Sequence, residues 1–197
     1  MERQIMLDYL VLIIWAYIFP LNIIRLVGHA FIKFFRKFGI VSFFLYIILW
    51  ISWAILVFMN KSLFLLGEIL NPNIVIVIAG IVIFTIGLLL QVLGYKILGI
   101  KTVFGIPEIL PKEERTTLVV KFPFSLVRHP LYFGQLLIIM GVLLMTAELS
   151  LCASLTVVAV FIWPVTTLEE RELSDRFGDQ YKNYQRQVPR IFPKLKI

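Results

Sequence analysis

Two short stretches carry residue types whose order and spacing suit chemistry. The first is Leu126-Val127-Arg128-His129-Pro130-Leu131-Tyr132-Phe133-Gly134. Pro130 fits the first turn of a helix, where its missing N–H would go unpaired anyway. The N–H groups of Leu131 to Gly134 are then expected as free donors at a positive helix end. An anionic group, such as the carboxylate of a cofactor, would be well placed there. On their own, Arg128 and His129 read equally well as interfacial anchors of a membrane helix. The second stretch is Glu169-Glu170. Glu169 lies four residues before Leu173 and eight before Phe177, so it shares their apolar helix face. A carboxylate facing an apolar bundle needs a partner. A sulfonium or ammonium ligand qualifies, and so does a salt bridge to Arg128 or another loop arginine. Glu170 reads equally as a solvated first-turn residue beside Arg171.

The elements that must position these groups follow from composition. Of 197 residues, 60% are hydrophobic and 16% charged, with a mean hydropathy of +0.93. A soluble domain is about 45–50% apolar and about a quarter charged, so this chain is an integral membrane protein. The length excludes a large transporter built of inverted repeats within one chain. Apolar stretches run over Ile5–Val27, Phe38–Met59, Asn73–Leu98, Leu131–Ala147 and Ser150–Leu168, each near the length of a membrane span. Pro20 and Pro164 are expected to bend or loosen the first and last. Glu148–Leu149 leaves room only for a tight hairpin between the last two. Met1–Asp8 lacks the basic start of a secretory signal, so the first stretch is expected to be retained as a span.

With five alternating spans, all but Arg3 and Lys61 of the 19 Lys and Arg fall on one side. The positive-inside tendency makes that side cytoplasmic, with the N-terminus outside and the C-terminus inside. The net charge of +7 therefore reflects topology, and no nucleic acid partner is expected. Gly80, Gly87 and Gly94 recur every seven residues and predict a helix-packing seam. Gly99–Pro130 is too long for a mere connector. Leu168–Val188 reads as an amphipathic helix with Leu173, Phe177, Tyr181, Tyr184 and Val188 on one face, interrupted by Gly178. The expected fold is all-α: a polytopic bundle of about five transmembrane helices with a C-terminal amphipathic cytoplasmic helix. Cys152 is the one cysteine, and His29 and His129 are the only histidines, so no metal site is expected.

The motifs combine into a resemblance. Thr117-Leu118-Val119, the Arg128–Gly134 stretch, Glu169-Glu170, and Phe177-Gly178-Asp179-Gln180-Tyr181 through Pro189-Arg190-Ile191-Phe192-Pro193 resemble the isoprenylcysteine carboxyl methyltransferase and phospholipid methyltransferase group. These are integral membrane enzymes that use S-adenosylmethionine, and the likeness covers roughly residues 95–195. It implies one membrane domain over 1–197, with N-terminal spans over 1–98 and a methyltransferase core over 99–197. It further implies that Thr116, Thr117, Leu118 and Val119 line the cofactor with backbone groups. His129, Pro130, Leu131 and Tyr132 match the helix-start motif that contacts the cofactor, and Glu169 matches the carboxylate that holds it. Phe124 stands where relatives usually have Tyr, which keeps an aromatic wall without a hydroxyl.

One departure bears on the acceptor. Carboxyl-methylating members place an arginine four residues before the first glutamate, and Val165 stands there in this chain. Arg128 or Arg190 would have to replace that cation. A carboxylate acceptor needs no base, whereas an amine or thiol must lose a proton, for which His129, Glu169 or Glu170 is a candidate. Arg128, Glu170 and Arg190 are thus the candidate catalytic residues. The acceptor is expected to be lipophilic or lipidated, such as an isoprenylcysteine carboxylate or a phospholipid amine, with a small thiol left open. The other readings are a non-catalytic membrane protein, such as a small transporter or assembly factor, and an inactive relative.

Overall fold

The computed structural model describes residues 2–67, 71–99 and 117–194. Its described elements are all helical. The first apolar stretch is α1 (Glu2–Ile13), a π-helical turn (Ile14–Ile18) and α2 (Phe19–Ala30). Then come α3 (Ile32–Phe38), α4 (Ile40–Met59), α5 (Ile74–Leu98), α6 (Pro130–Thr146), α7 (Leu149–Phe177) and α8 (Asp179–Gln187). Three helical stretches are long and apolar enough to cross a membrane: Ile5–Ala30, Ile74–Leu98 and Leu149–Phe177. Two shorter apolar helices, Phe44–Met59 and Pro130–Thr146, stand where the other two spans are expected. Outward-facing Ile48, Ile51, Ile55, Ile78, Ile81 and Leu89 on α4 and α5 are exposed. Such a surface suits hydrocarbon rather than water.

Pro20 acts through the turn before it. The Phe19 amide reaches back to Ile14 instead of Trp15, and Pro20 has no amide to give to Ala16. Both carbonyls lose their usual donor. The indole N–H groups of Trp53 and Trp50 on α4 donate to them at 2.8 and 2.9 Å. The loosened turn is therefore fastened to its neighbour, as buried carbonyls require. Pro164, by contrast, does not interrupt α7, which runs through it.

The glycine stripe is a seam between α5 and α6. A Cβ on Gly80 would lie 2.7 Å from the Gly141 carbonyl, and one on Gly87 2.7 Å from the Gly134 carbonyl. A Cβ on Gly94 would strike the Leu131 side chain. Small residues at these positions let the two backbones touch. The hairpin between α6 and α7 is as tight as expected, turning through Ala147 in a left-handed conformation (φ 50°).

One expectation is corrected. No separate amphipathic helix spans Leu168–Val188. Instead α7 continues unbroken to Phe177, and the break falls at Gly178 (φ 55°), after which α8 begins. Hydropathy falls at Glu169, but Glu-Glu-Arg-Glu-Leu are good helix formers and nothing stops the ladder before glycine. Glu169 and Glu170 therefore sit inside a rigid helix, not in its first turn.

The ends of the helices gather into two groups. His29, at the end of α2, meets Glu169 and Glu172 near the end of α7. At the other end of α7, Glu148 accepts hydrogen bonds from the amides of Leu66 and Gly67, which follow α4.

Candidate active site

Neighbouring residues on a helix project about 100° apart, so Glu169 and Glu170 face different surroundings. Glu170 is buried, and four side chains converge on it. Arg128 approaches Oε1 with Nε and Nη2, each at 2.8 Å, and Arg190 Nη2 donates to Oε2 at 2.6 Å. Gln185 Nε2 donates to Oε2 at 3.2 Å, and His129 Nε2 lies 3.0 Å from Oε1. A carboxylate offers about four lone-pair positions, and these are taken. The reading of Glu170 as a solvated residue is thereby overturned, and the salt bridge to Arg128 belongs to Glu170 rather than Glu169.

Glu169 is 21% exposed, and the histidines that face it lie further off than those donors. Tyr132 donates its hydroxyl to Oε1, and His29 Nε2 lies 3.3 Å from the same oxygen. His129 Nδ1 is 3.3 Å from Oε2. His129 thus bridges both glutamates, one with each ring nitrogen. A ring donating from both nitrogens is the imidazolium, which has no lone pair left to take a proton from an acceptor. Burial opposes the charge on His129. Hydrogen bonds to Glu169 and Glu170, and their charges, outweigh burial, and the pKa lies above the ordinary histidine value.

The backbone fixes this arrangement. The amides of Arg128 and His129 donate to the carbonyls of Pro189 and Arg190 at 2.8 and 3.0 Å. Arg128 also caps the carbonyls of Gln185 and Val188 at the end of α8. The Tyr184 hydroxyl donates to the Phe124 carbonyl at 2.6 Å, which holds buried Phe124 against α8. Gln91 on α5 donates to the Leu131 carbonyl at 2.7 Å. One correction concerns the start of α6: the Phe133 amide is already bound to the His129 carbonyl at 3.1 Å. It is not a free donor, because His129 serves as the N-cap and the helical ladder begins at the Phe133 amide rather than after Gly134.

The structure thus brings together Arg128, His129, Tyr132, Glu169, Glu170 and Arg190, with Pro130 and Leu131 buried beside them. Thr117, Leu118 and Val119 are described, with Thr117 at the surface and the other two half-buried. None of the hydrogen bonds described above joins them to the carboxylates. Thr116 lies outside the described residues, as do residues 100–115 of the loop.

Sequence reasoning missed the contribution of α2. Arg25 stacks its guanidinium 5.0 Å from the centre of the Tyr132 ring, and His29 lies one turn further along. Their spacing of four, on the face that also carries buried Asn22, was the available signal. The Oδ1 of Asn22 and the Oε1 of buried Gln135, one turn from Tyr132 on α6, have no partner among the described residues.

A family described as phospholipid methyltransferase matches residues 75–180, more than half of the chain. Similar curated proteins include "Methanethiol S-methyltransferase 1" of Bradyrhizobium diazoefficiens, 37% identical over 86 residues, which are 44% of this chain and 28% of that protein. The "Methanethiol S-methyltransferase" of Crocosphaera subtropica is 36% identical over 95 residues, 46% of this chain and 36% of that protein. A cobalt-zinc-cadmium resistance protein of Cupriavidus metallidurans is 38% identical over 85 residues, 43% of this chain and 39% of that protein. The matched stretch thus spans well under half the length of these relatives. No solved structure matches. The family is one of methyltransferases with S-adenosylmethionine as methyl donor. The chain, matched across α5, the Arg128–Gly134 stretch and the paired glutamates, belongs to the phospholipid methyltransferase family.

Proposed function

We propose that this protein methylates a small apolar thiol at a membrane surface, with S-adenosylmethionine as donor. One observation carries the choice of acceptor. Val165 is fully buried where the resemblance puts an arginine in carboxyl methylators, and the guanidiniums of Arg128 and Arg190, the candidate replacements, are both held by Glu170. A carboxylate acceptor would meet no uncommitted cation from either. Relatives named methanethiol S-methyltransferase support the same reading.

The residues present fit the donor. Glu169 is an accessible carboxylate, and the unpartnered oxygens of Asn22 and Gln135 add acceptors on the faces of α2 and α6 that bear Arg25 and Tyr132. An acceptor-rich set suits a ligand with cationic and N–H groups, and a buried unpaired oxygen costs about 1–3 kcal/mol until it finds a donor. When bound, S-adenosylmethionine supplies an electrophilic methyl group on a sulfonium. Glu169 would hold the cationic part, with Tyr132 and His129 fixing the carboxylate's orientation. Thr116 to Val119 and Phe124 would line the adenosyl side, as the resemblance implies. Glu170, Arg128 and Arg190 form the scaffold that positions His129. Three arginines and two histidines around three glutamates leave the cluster electropositive, which favours ionisation of a thiol to the reactive thiolate. The clamped His129 then acts by its charge rather than as a base.

The charge distribution supports five crossings with the N-terminus outside, so that the site faces the cytoplasm. We read residues 99–197 as the methyltransferase core of one membrane domain, with Arg25 and His29 added from the N-terminal spans. A lipid-tailed acceptor is the second reading. It is favoured by an apolar crevice of about 340 Å³ beside Arg190, lined by Leu136, Ala159, Ile162, Trp163, Ile191 and Phe192.

The test is incubation of detergent-purified protein with S-adenosylmethionine and either methanethiol or phospholipid vesicles. Dimethyl sulfide in the headspace, without methylated lipid, is the expected result. Methylated lipid alone would overturn the thiol assignment.

A further inference from the structure

The charges around Glu169 point to a role for His29. Its Nε2 lies 3.3 Å from Glu169 and its Nδ1 lies 3.1 Å from Glu172, so both nitrogens face carboxylates and the ring is an imidazolium. Glu169 is thereby neutralised from two sides, by His29 and by His129. Among the described contacts, Glu169, Glu170 and Glu172 are grouped with Arg128, Arg190 and two imidazoliums, and Arg25 lies over the ring of Tyr132, the hydroxyl donor to Glu169. A further fixed positive charge at Glu169 would meet an excess of like charge. Arginines do not lose protons in proteins, so relief has to come from a histidine.

His29 is the better placed of the two. His129 is enclosed between two carboxylates, with 6% of its side chain exposed. The side chain of His29 is 12% exposed and that of its second partner, Glu172, 27%. The charged and titratable groups next in line are Arg25 four residues back on α2, Tyr132 and His129 across Glu169, and Arg176 four residues after Glu172 on α7. On α4, Tyr46 places its hydroxyl beside neighbouring Gly28.

We propose that His29 is a displaceable counter-ion of Glu169. It holds the carboxylate as an imidazolium, and it yields a proton and its place when a sulfonium binds. The proton goes to solvent, so the charge balance closes. This inference rests on the methyl-donor reading of the site. It distinguishes substrate from product, because S-adenosylhomocysteine keeps the amino-acid and adenosine parts but carries an uncharged thioether. Low pH keeps His29 protonated and opposes the sulfonium more than the thioether. The ratio of the two affinities, donor over product, should therefore rise with pH by up to about tenfold per unit.

The experiment is calorimetric titration of the full chain in detergent with S-adenosylmethionine and with S-adenosylhomocysteine. Paired buffers of different ionisation heat, between about pH 6 and 8, give the protons released. The expected result is about one more proton released by the donor than by the product, with the difference gone in His29→Gln. Equal proton counts for both ligands in the unaltered protein would overturn the inference alone, as would a difference that survives in His29→Gln. If neither ligand binds folded protein, the methyl-donor reading falls and takes this inference with it.

Discussion

The two ends of α7 each carry a buried or half-buried glutamate arrangement, and they are satisfied in different currencies. At one end, Glu148 is 5% exposed and bound by the backbone amides of Leu66 and Gly67, while the Leu149 amide returns a hydrogen bond to the Gly67 carbonyl. Backbone donors cannot be withdrawn without moving the chain, so this end is a clasp between the α6–α7 hairpin and the segment after α4. At the other end the donors are side chains. Within that end a second contrast appears: Glu170 is saturated by two arginines, a histidine and an amide, whereas more exposed Glu169 has a close tyrosine hydroxyl and two histidines at 3.3 Å. Saturated carboxylates hold structure together. A carboxylate held by side chains that can turn away is available to a ligand.

Breaking the saturated carboxylate should have the largest effect. Glu170→Ala leaves Arg128 and Arg190 without their common partner, and the loss of stability should reach about 3–5 kcal/mol. Thermal unfolding in detergent measures it, and a small loss would show that Glu170 is not the scaffold. Glu169→Gln should lower the unfolding temperature less than Glu170→Ala does, since the carboxamide can still accept from Tyr132, but should weaken S-adenosylmethionine. Loss of one charge-assisted contact, about 1.5–3 kcal/mol, corresponds to roughly 10- to 150-fold in Kd. Glu148→Gln should cost about 1–2 kcal/mol of stability with methyl-donor affinity intact. Equal loss of affinity there would dissolve the contrast between the two ends.

The smallest effect concerns pH. Because the folded-state pKa of His129 is raised, its contribution to stability is full below the unfolded value of about 6.5 and is lost as pH rises through the folded value. Unfolding temperatures should therefore fall on the alkaline side, and His129→Gln should flatten that fall.

Much of this architecture was legible in the residues. Gly80, Gly87 and Gly94 announced the α5–α6 seam because only backbone contact explains so regular a stripe of missing side chains. Arg128-His129-Pro130 and Glu169-Glu170 marked the site because charge at the edge of an apolar span needs a reason. What stayed hidden was pairing across the fold. The link of Arg25 and His29 to the site emerges only once α2 lies beside α7. The different roles of Glu169 and Glu170 depend on which helix faces which side of α7, and periodicity alone made Glu169 the buried one. Hydropathy also ended the last span at Leu168, although helical hydrogen bonding continues to Gly178.

The central claim is that Glu169 holds a cationic methyl donor while Glu170 holds the fold. Calorimetric titration of S-adenosylmethionine into the unaltered protein and into Glu169→Gln, with unfolding curves for both, tests it directly. Saturable binding to the first and strongly weakened binding to the second are expected, with cooperative unfolding curves showing both to be folded. Undiminished binding to folded Glu169→Gln, or none to the folded unaltered protein, would contradict it.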